Sequence, residues 1–366
     1  MVRTQDQIRG GLLGAAAGDA LGYCVQELSL EEIHQRFGPE GIRGYDTENG
    51  YALVSANTQL ALFTANGLLH GQTRGALRGV MGPAIGYLRL AYQDWMKTQT
   101  YGGRRAPGKA VSWLCGIDDL YARRTPDRTT MLAFASEKLG TMEDPINRSK
   151  AAAALPRTIT TGLFLNQPEQ VREAARLGAE TAAMTHGDSL GFLPSAYLAE
   201  LMNRLLVRRA GSFRSILHET IASVQEGFGR EYPRVKEIGN LLAQAETLAD
   251  DEISPEMAMA ELEPVEAHRV LAAACYACLK FPGDYERALV AAVNHSGDSA
   301  ATGCVAGALM GTAVGTEGIP EFYLDPLELR EILEEMADDL FQGCPMCKGN
   351  RLFDDRWNDK YVQCVY

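Results

Sequence analysis

The chain has 366 residues, 46% of them hydrophobic and 22% charged, and 35 Lys and Arg against 47 Asp and Glu leave a formal net charge of −12. That composition belongs to a globular protein of one large or two medium domains, and its acidity excludes a sequence-independent hold on DNA or RNA, which needs clustered cations. Residues 1–22 lack the pattern of a secretory signal, and neither the glycine-rich apolar stretch within them nor the apolar run 300–315 reaches the roughly 20 residues of a membrane span, so a cytoplasmic protein with no membrane partner is expected.

Apolar residues recur at three- and four-residue spacing nearly throughout, and strict alternation is almost absent, which predicts an all-α fold. Helices are expected over 5–17, 58–69, 83–98, 111–120, 130–138, 168–184, 194–206, 213–226, 232–250, 265–280, 284–293, 302–314 and 326–342. Gly38-Pro39, Gly102-Gly103, Ala106-Pro107-Gly108 and Thr125-Pro126-Asp127 read as breakers. No linker is long or polar enough to separate independent units. Residues 1–366 are therefore expected to form a single compact helical domain, with 343–366 packed back on it as a tail.

Two helices carry glycine stripes, Gly10, Gly14, Gly18, Gly22 and Gly303, Gly307, Gly311, Gly315. Spacing by four aligns each set on one helix face. Each helical glycine costs about 0.5–1 kcal/mol relative to alanine, so the stripes predict close backbone contacts that offset it. Cys275/Cys278 and Cys344/Cys347 have CxxC spacing, but the first pair sits in an apolar helical run, which favours core packing over zinc.

The segments GGLLGAAAGDALGY at the start, NTQLALFTANGLL, GTMEDPINRSK, the Thr185-His186 pair and NHSGDSAATGCVAGALMG, in that order, resemble the ADP-ribosylglycohydrolase family of the dinitrogenase-reductase-activating glycohydrolase type. The resemblance runs through most of the chain. It implies a compact all-helical domain that hydrolyses an ADP-ribose glycosidic bond at two magnesium ions. Those ions would be held by a Ser/Thr-Asp-Asp-Thr motif and a Gly-Asp-Ser-Asp-Thr/Ser motif, with a glutamate after Gly-Asp-Ala-Leu-Gly.

This chain departs from that pattern where the chemistry lies. It reads Ser55-Ala56-Asn57-Thr58 at the first motif and Gly297-Asp298-Ser299-Ala300-Ala301 at the second, with Gln26 in place of the glutamate. Four alanines, Ala151 to Ala154, stand where the family has a glycine-rich substrate loop, and they favour helix. Two hard cations carry a charge of +4, and Asp298 alone remains to offset it. No metal site, and no magnesium or other cofactor, is therefore expected; the ligand positions Ala56, Asn57, Ala300 and Ala301 are degenerate.

Asp298 is a candidate general acid or base, raised in pKa by an apolar cleft, or the cap of the helix that follows. His186 is a candidate proton carrier or a loop anchor. Asp19 is read either as catalytic or as a buried helix-end carboxylate. Candidate ligand contacts are Gln26, Ser55, Asn57 and Ser299 for neutral polar groups, Lys150 and Arg157 for a phosphate or carboxylate, and His295 and Tyr23; Trp113 and Tyr121 read as core or as pocket lining. The expected function is a non-hydrolytic derivative whose cleft binds a small molecule or an ADP-ribose-related protein partner, or runs a metal-independent reaction. Specialised metabolism, immunity against ADP-ribosylation and residual hydrolysis are the alternatives.

Overall fold

The computed structural model describes residues 2–100, 109–207, 211–349 and 352–366; the breakers at Gly102-Gly103 and Ala106-Pro107-Gly108 lie outside them. The described residues are helices joined by turns and irregular loops, with the isolated bridges Glu48–Tyr51, Ala52–Leu327 and Ala151–Glu266. None of the described helices is long and apolar enough to cross a membrane.

In chain order the helices are α1 (Val2–Tyr23), α2 (Leu30–Phe37), α3 (Ala56–Arg78), α4 (Ala84–Thr100), α5 (Arg128–Ala135), α6 (Ile159–Phe164), α7 (Val171–Ala183), α8 (Ser189–Val207) and α9 (Phe213–Phe228). They continue with α10 (Val235–Asp250), α11 (Pro255–Leu262), α12 (Ala267–Lys280), α13 (Tyr285–Val293), α14 (Ser299–Val314), α15 (Glu321–Leu324), α16 (Arg330–Gln342) and α17 (Asp355–Asn358).

α1 and α14 form the centre. Their glycine stripes meet in reverse order, Gly10 on Gly311, Gly14 on Gly307, Gly18 on Gly303 and Gly22 on Ser299, so the helices are antiparallel. A methyl at any of Gly10, Gly14, Gly18 or Gly22 would lie 1.9–2.3 Å from the facing backbone oxygen. Tyr285 locks the pair by donating its hydroxyl to the Gly14 carbonyl at 2.8 Å. α14 is buried from Ser299 through Thr312, which explains why it is apolar on every side rather than on one stripe.

The expected helix over 111–120 is instead two short 3₁₀ turns, Trp113–Gly116 and Asp118–Tyr121, separated by extended Ile117. The Val111 and Ser112 amides both donate to the Asp94 carboxylate, which pins the segment in a conformation that a helix cannot share. The helix expected from 326 begins at Arg330, because Ala52 bonds Pro326 and Glu328 through their backbones. Ala151 is extended and bridges Glu266, so only Ala152–Ala154 of the alanine run form a 3₁₀ turn. Five helices escaped the periodicity reading: α2, α6 and α11, and the one-turn α15 and α17. Of these, α2 and α11 carry start signals, a Ser29/Glu32 capping box and Ser254 before Pro255.

Candidate functional site

The start of α3 and the last turns of α1 build the floor of the site around one carboxylate. Asp19 is fully buried and accepts five hydrogen bonds. Its Oδ1 takes the Ser55 hydroxyl at 2.6 Å and the Asn57 amide at 3.2 Å. Its Oδ2 takes the Ser55 backbone N–H at 2.8 Å, the Thr58 N–H at 3.3 Å and the Thr58 hydroxyl at 2.6 Å. Burial raises the Asp19 pKa, and the Ser55, Thr58 and Asn57 donors pull it back. Asp19 thus satisfies the orphan amides of α3 from a neighbouring helix, while Ser55 caps the same helix in the ordinary way, accepting from the Asn57 N–H at 3.0 Å.

Asp298 stands at the start of α14. Its Oδ1 accepts from the Ala301 N–H at 3.0 Å, a helix cap, and its own N–H donates to the Pro264 carbonyl at 2.8 Å. The residue keeps partial solvent contact, yet the protein crowded round it lifts the carboxyl to about 6, with the charges of Asp19 and Asp127 adding to the effect. A group at that value exchanges protons near neutral pH. Ala56, Ala300 and Ala301, which flank these two carboxylates, are buried and bring only methyl groups.

Asp127, read from sequence only as part of a breaker, is brought to the same place. It caps α5 by accepting from the Thr130 N–H at 2.7 Å and lies 3.8 Å from Nε2 of His186. The Pro126-Asp127 pair before a helix was a cap signal, but nothing in the sequence said which cleft that helix end would face.

Behind Asp127 lies a buried polar layer. Arg157 has no solvent exposure; its Nη2 donates to the Thr181 carbonyl at 3.0 Å and the Thr185 hydroxyl at 2.6 Å, and its guanidinium lies over the rings of Tyr92 and Phe134. The Thr185 hydroxyl sits 2.8 Å from Nδ1 of His186. Burial and the Arg157 charge depress the His186 pKa to about 4, against the pull of Asp127, so the imidazole is neutral at pH 7. Nε2 of His186 and the Nε and Nη1 atoms of Arg157 are buried without hydrogen-bond partners.

The remaining candidates are spread around this centre. His295 is buried and neutral, its pKa lowered by burial to about 4. Its Nδ1 accepts from the Gly297 N–H at 3.0 Å, which leaves Nε2 to donate to the Ala292 carbonyl at 2.9 Å. Ser299 is buried and donates to the His295 carbonyl at 3.2 Å. Lys150 faces Glu266 at 3.7 Å. Tyr23 and Gln26 are half-buried at the end of α1, and Glu27 beside Gln26 is exposed. Trp113 and Tyr121 are buried within the two 3₁₀ turns, Trp113 opening the first and Tyr121 closing the second. Cys275 and Cys278 are fully buried in α12, and burial pushes both thiols up. Among the described residues no three His, Cys, Asp or Glu side chains come together as a group able to hold a metal ion.

A cavity of about 650 Å³ opens beside the Asp298 loop, lined by Leu30, Met259, Glu263, Val265 and His295 among others and bounded by Gly297. Its walls combine apolar surface with a few polar groups, the mixture typical of small-molecule sites.

The profile of the ADP-ribosylglycohydrolase family matches residues 1–349. A protein of Archaeoglobus fulgidus that bears only the description uncharacterized protein is 36% identical over 350 residues, covering 92% of this chain and 97% of the relative. A solved ADP-ribosylglycohydrolase-related protein complex shares the fold with a TM-score of 0.60 at 25% identity, over 93% of this chain and 99% of that one.

Proposed function

The chain belongs to the ADP-ribosylglycohydrolase family, and from that premise we propose that it is a derivative in which the cleft binds a small-molecule ligand without magnesium-dependent hydrolysis. The observation that carries this reading is the commitment of the cleft floor to itself. Both oxygens of Asp19 are taken by Ser55, Asn57 and Thr58, and the flanking Ala56, Ala300 and Ala301 offer no oxygen. Hard divalent cations need several free oxygen ligands and give up their water reluctantly. This donor set does not fit a pair of them, and no step is routed through one.

What remains is one carboxyl poised for proton transfer. Asp298 has one oxygen in the helix cap, and its pKa of about 6 favours a metal-independent acid–base role in the cleft it shares with Asp19 and Asp127. His186, neutral and paired with Thr185, holds the Arg157 layer behind it.

Incubation with ADP-ribosyl-arginine and ADP-ribosyl-serine substrates, with and without magnesium, tests the reading. No chelator-sensitive release of ADP-ribose is expected; robust turnover abolished by a chelator would overturn it.

The raised Asp298 pKa has a stability signature as well. The folded state holds the Asp298 proton more tightly than the unfolded chain, whose aspartates titrate near 3.9. Its contribution is therefore fully present below about pH 4, is lost as pH rises to about 6, and is flat above. Asp298→Asn keeps a cap oxygen and removes the titration. Urea midpoints across pH 4–7 should show the variant losing about 1 kcal/mol of this pH-dependent decline, a figure discounted for the partial exposure of the group. Parallel curves for the two proteins would show that the carboxyl has an ordinary pKa.

A further inference from the structure

Residues 352–366 lie beyond the stretch matched by the family profile, yet they are anchored more firmly than a terminal segment needs to be. Trp357 is buried and donates its indole N–H to the Thr73 hydroxyl of α3 at 2.8 Å. Tyr361 is fully buried; its hydroxyl donates to Asp339 of α16 at 2.7 Å, and its carbonyl oxygen lies 3.0 Å from Nδ1 of His70. The ammonium of Lys360 is buried between Asp339 and Glu335, 2.8 Å from the latter, and sits 5.0 Å from the centre of the Trp113 ring. Tyr366 stacks on that same ring at 5.1 Å and packs its Cβ against Gly116.

Trp113 begins the segment that leads to the cleft. Downstream of it, the Ala122 carbonyl accepts from the Gln59 side chain at 2.9 Å, and the Arg124 carbonyl accepts from the Ala56 N–H at 2.9 Å. The Arg124 guanidinium pairs with Glu328 at 2.8 Å, and Glu328 also accepts from the Val54 N–H. Three residues further on, Asp127 faces His186. Residues 112–127 make no regular helix before α5, so their position depends on outside anchors: Asp94 of α4 at the Ser112 amide, α3 and Glu328 further along, and the 352–366 segment on the Trp113 ring.

We propose that residues 352–366 act as a strap that positions the Asp127-bearing wall of the cleft. Clamping Trp113 between Lys360 and Tyr366 fixes the start of a segment whose far end meets Ala56 and presents Asp127. Loss of the strap frees the wall while leaving the α1/α14 centre in place. The proposal rests on the reading that Asp127 belongs to the ligand cleft. Its test reads geometry, so ADP-ribosyl turnover would overturn the functional reading and leave the strap intact.

Hydrogen exchange resolved by peptide tests it, with the full chain compared with Tyr366→Ala and with a chain ending at residue 349. Tyr366 is 65% exposed, so its truncation removes little buried surface beyond the stack on Trp113 and decides the matter even if the shortened chain does not fold. Amides of 112–127 are expected to exchange about tenfold faster, with 299–314 unchanged, because local opening is read segment by segment. Tyr366→Phe, which keeps the stacked ring, should restore protection, and a peptide of residues 352–366 added to the shortened chain should do the same. Unchanged exchange in 112–127, or a uniform rise across the whole chain, would show that the segment only adds global stability.

Discussion

Gly18→Ala is expected to cost about 4 kcal/mol or to prevent folding. The added Cβ would lie 1.9 Å from the Gly303 carbonyl oxygen and 3.0 Å from Leu289, and neither backbone at the α1/α14 crossing can give way without breaking helical hydrogen bonds. Helix propensity pulls the other way, by about 1 kcal/mol in favour of alanine, and loses to the steric term. Gly86→Ala supplies the comparison. Gly86 lies inside α4 with nothing within 4 Å of the position a Cβ would take, so the same change should stabilise by about 0.5 kcal/mol. Urea denaturation of the two variants reads both; a Gly18→Ala loss below about 1 kcal/mol would mean that the helices cross less tightly than the structure has them.

Asp19→Ala is expected to destabilise by about 3 kcal/mol, because it strands several donors in a dry site. Two backbone N–H groups and two hydroxyls lose their acceptor, and Asn57 loses the contact that orients it. The damage should be local as well as global. Amides of 55–58 should lose exchange protection first, since the start of α3 would keep only the Ser55 cap. An Asp19→Ala protein with wild-type stability would show that solvent or Ser55 alone satisfies that helix end, and the self-contained cleft floor would no longer support the functional reading.

The family fold was legible in the sequence because it rests on repeated local signals. Helical periodicity marked most of the helices, and glycines spaced by four marked the two that cross at the centre, since only close backbone approach offsets their cost. The chemical departures were equally legible, because Ala56, Ala300 and Ala301 have no polar atoms wherever the chain places them. Segments shaped by distant partners were not. The 111–120 stretch has an apolar rhythm but is held by Asp94, and the expected start of α16 is pulled into a bridge with Ala52.

The candidate site divides along the same line. Residue identity alone fixed what could not be donated, namely carboxylate oxygens at the alanine positions. Which donors are spent, and on what, was decided by packing. Asp19 is consumed by the α3 helix start, Asp298 caps α14 while sharing an electrostatic field with Asp19 and Asp127, and Arg157 turns inward to Thr181 and Thr185. Asp127 could not be singled out at all, since an aspartate after proline announces a helix cap in any protein, and only the route of residues 112–127 under Tyr366 and past Ala56 brings it to His186. Local rules of spacing and side-chain chemistry are written in the sequence; desolvation and charge coupling depend on which segments meet, and that is set by the three-dimensional fold.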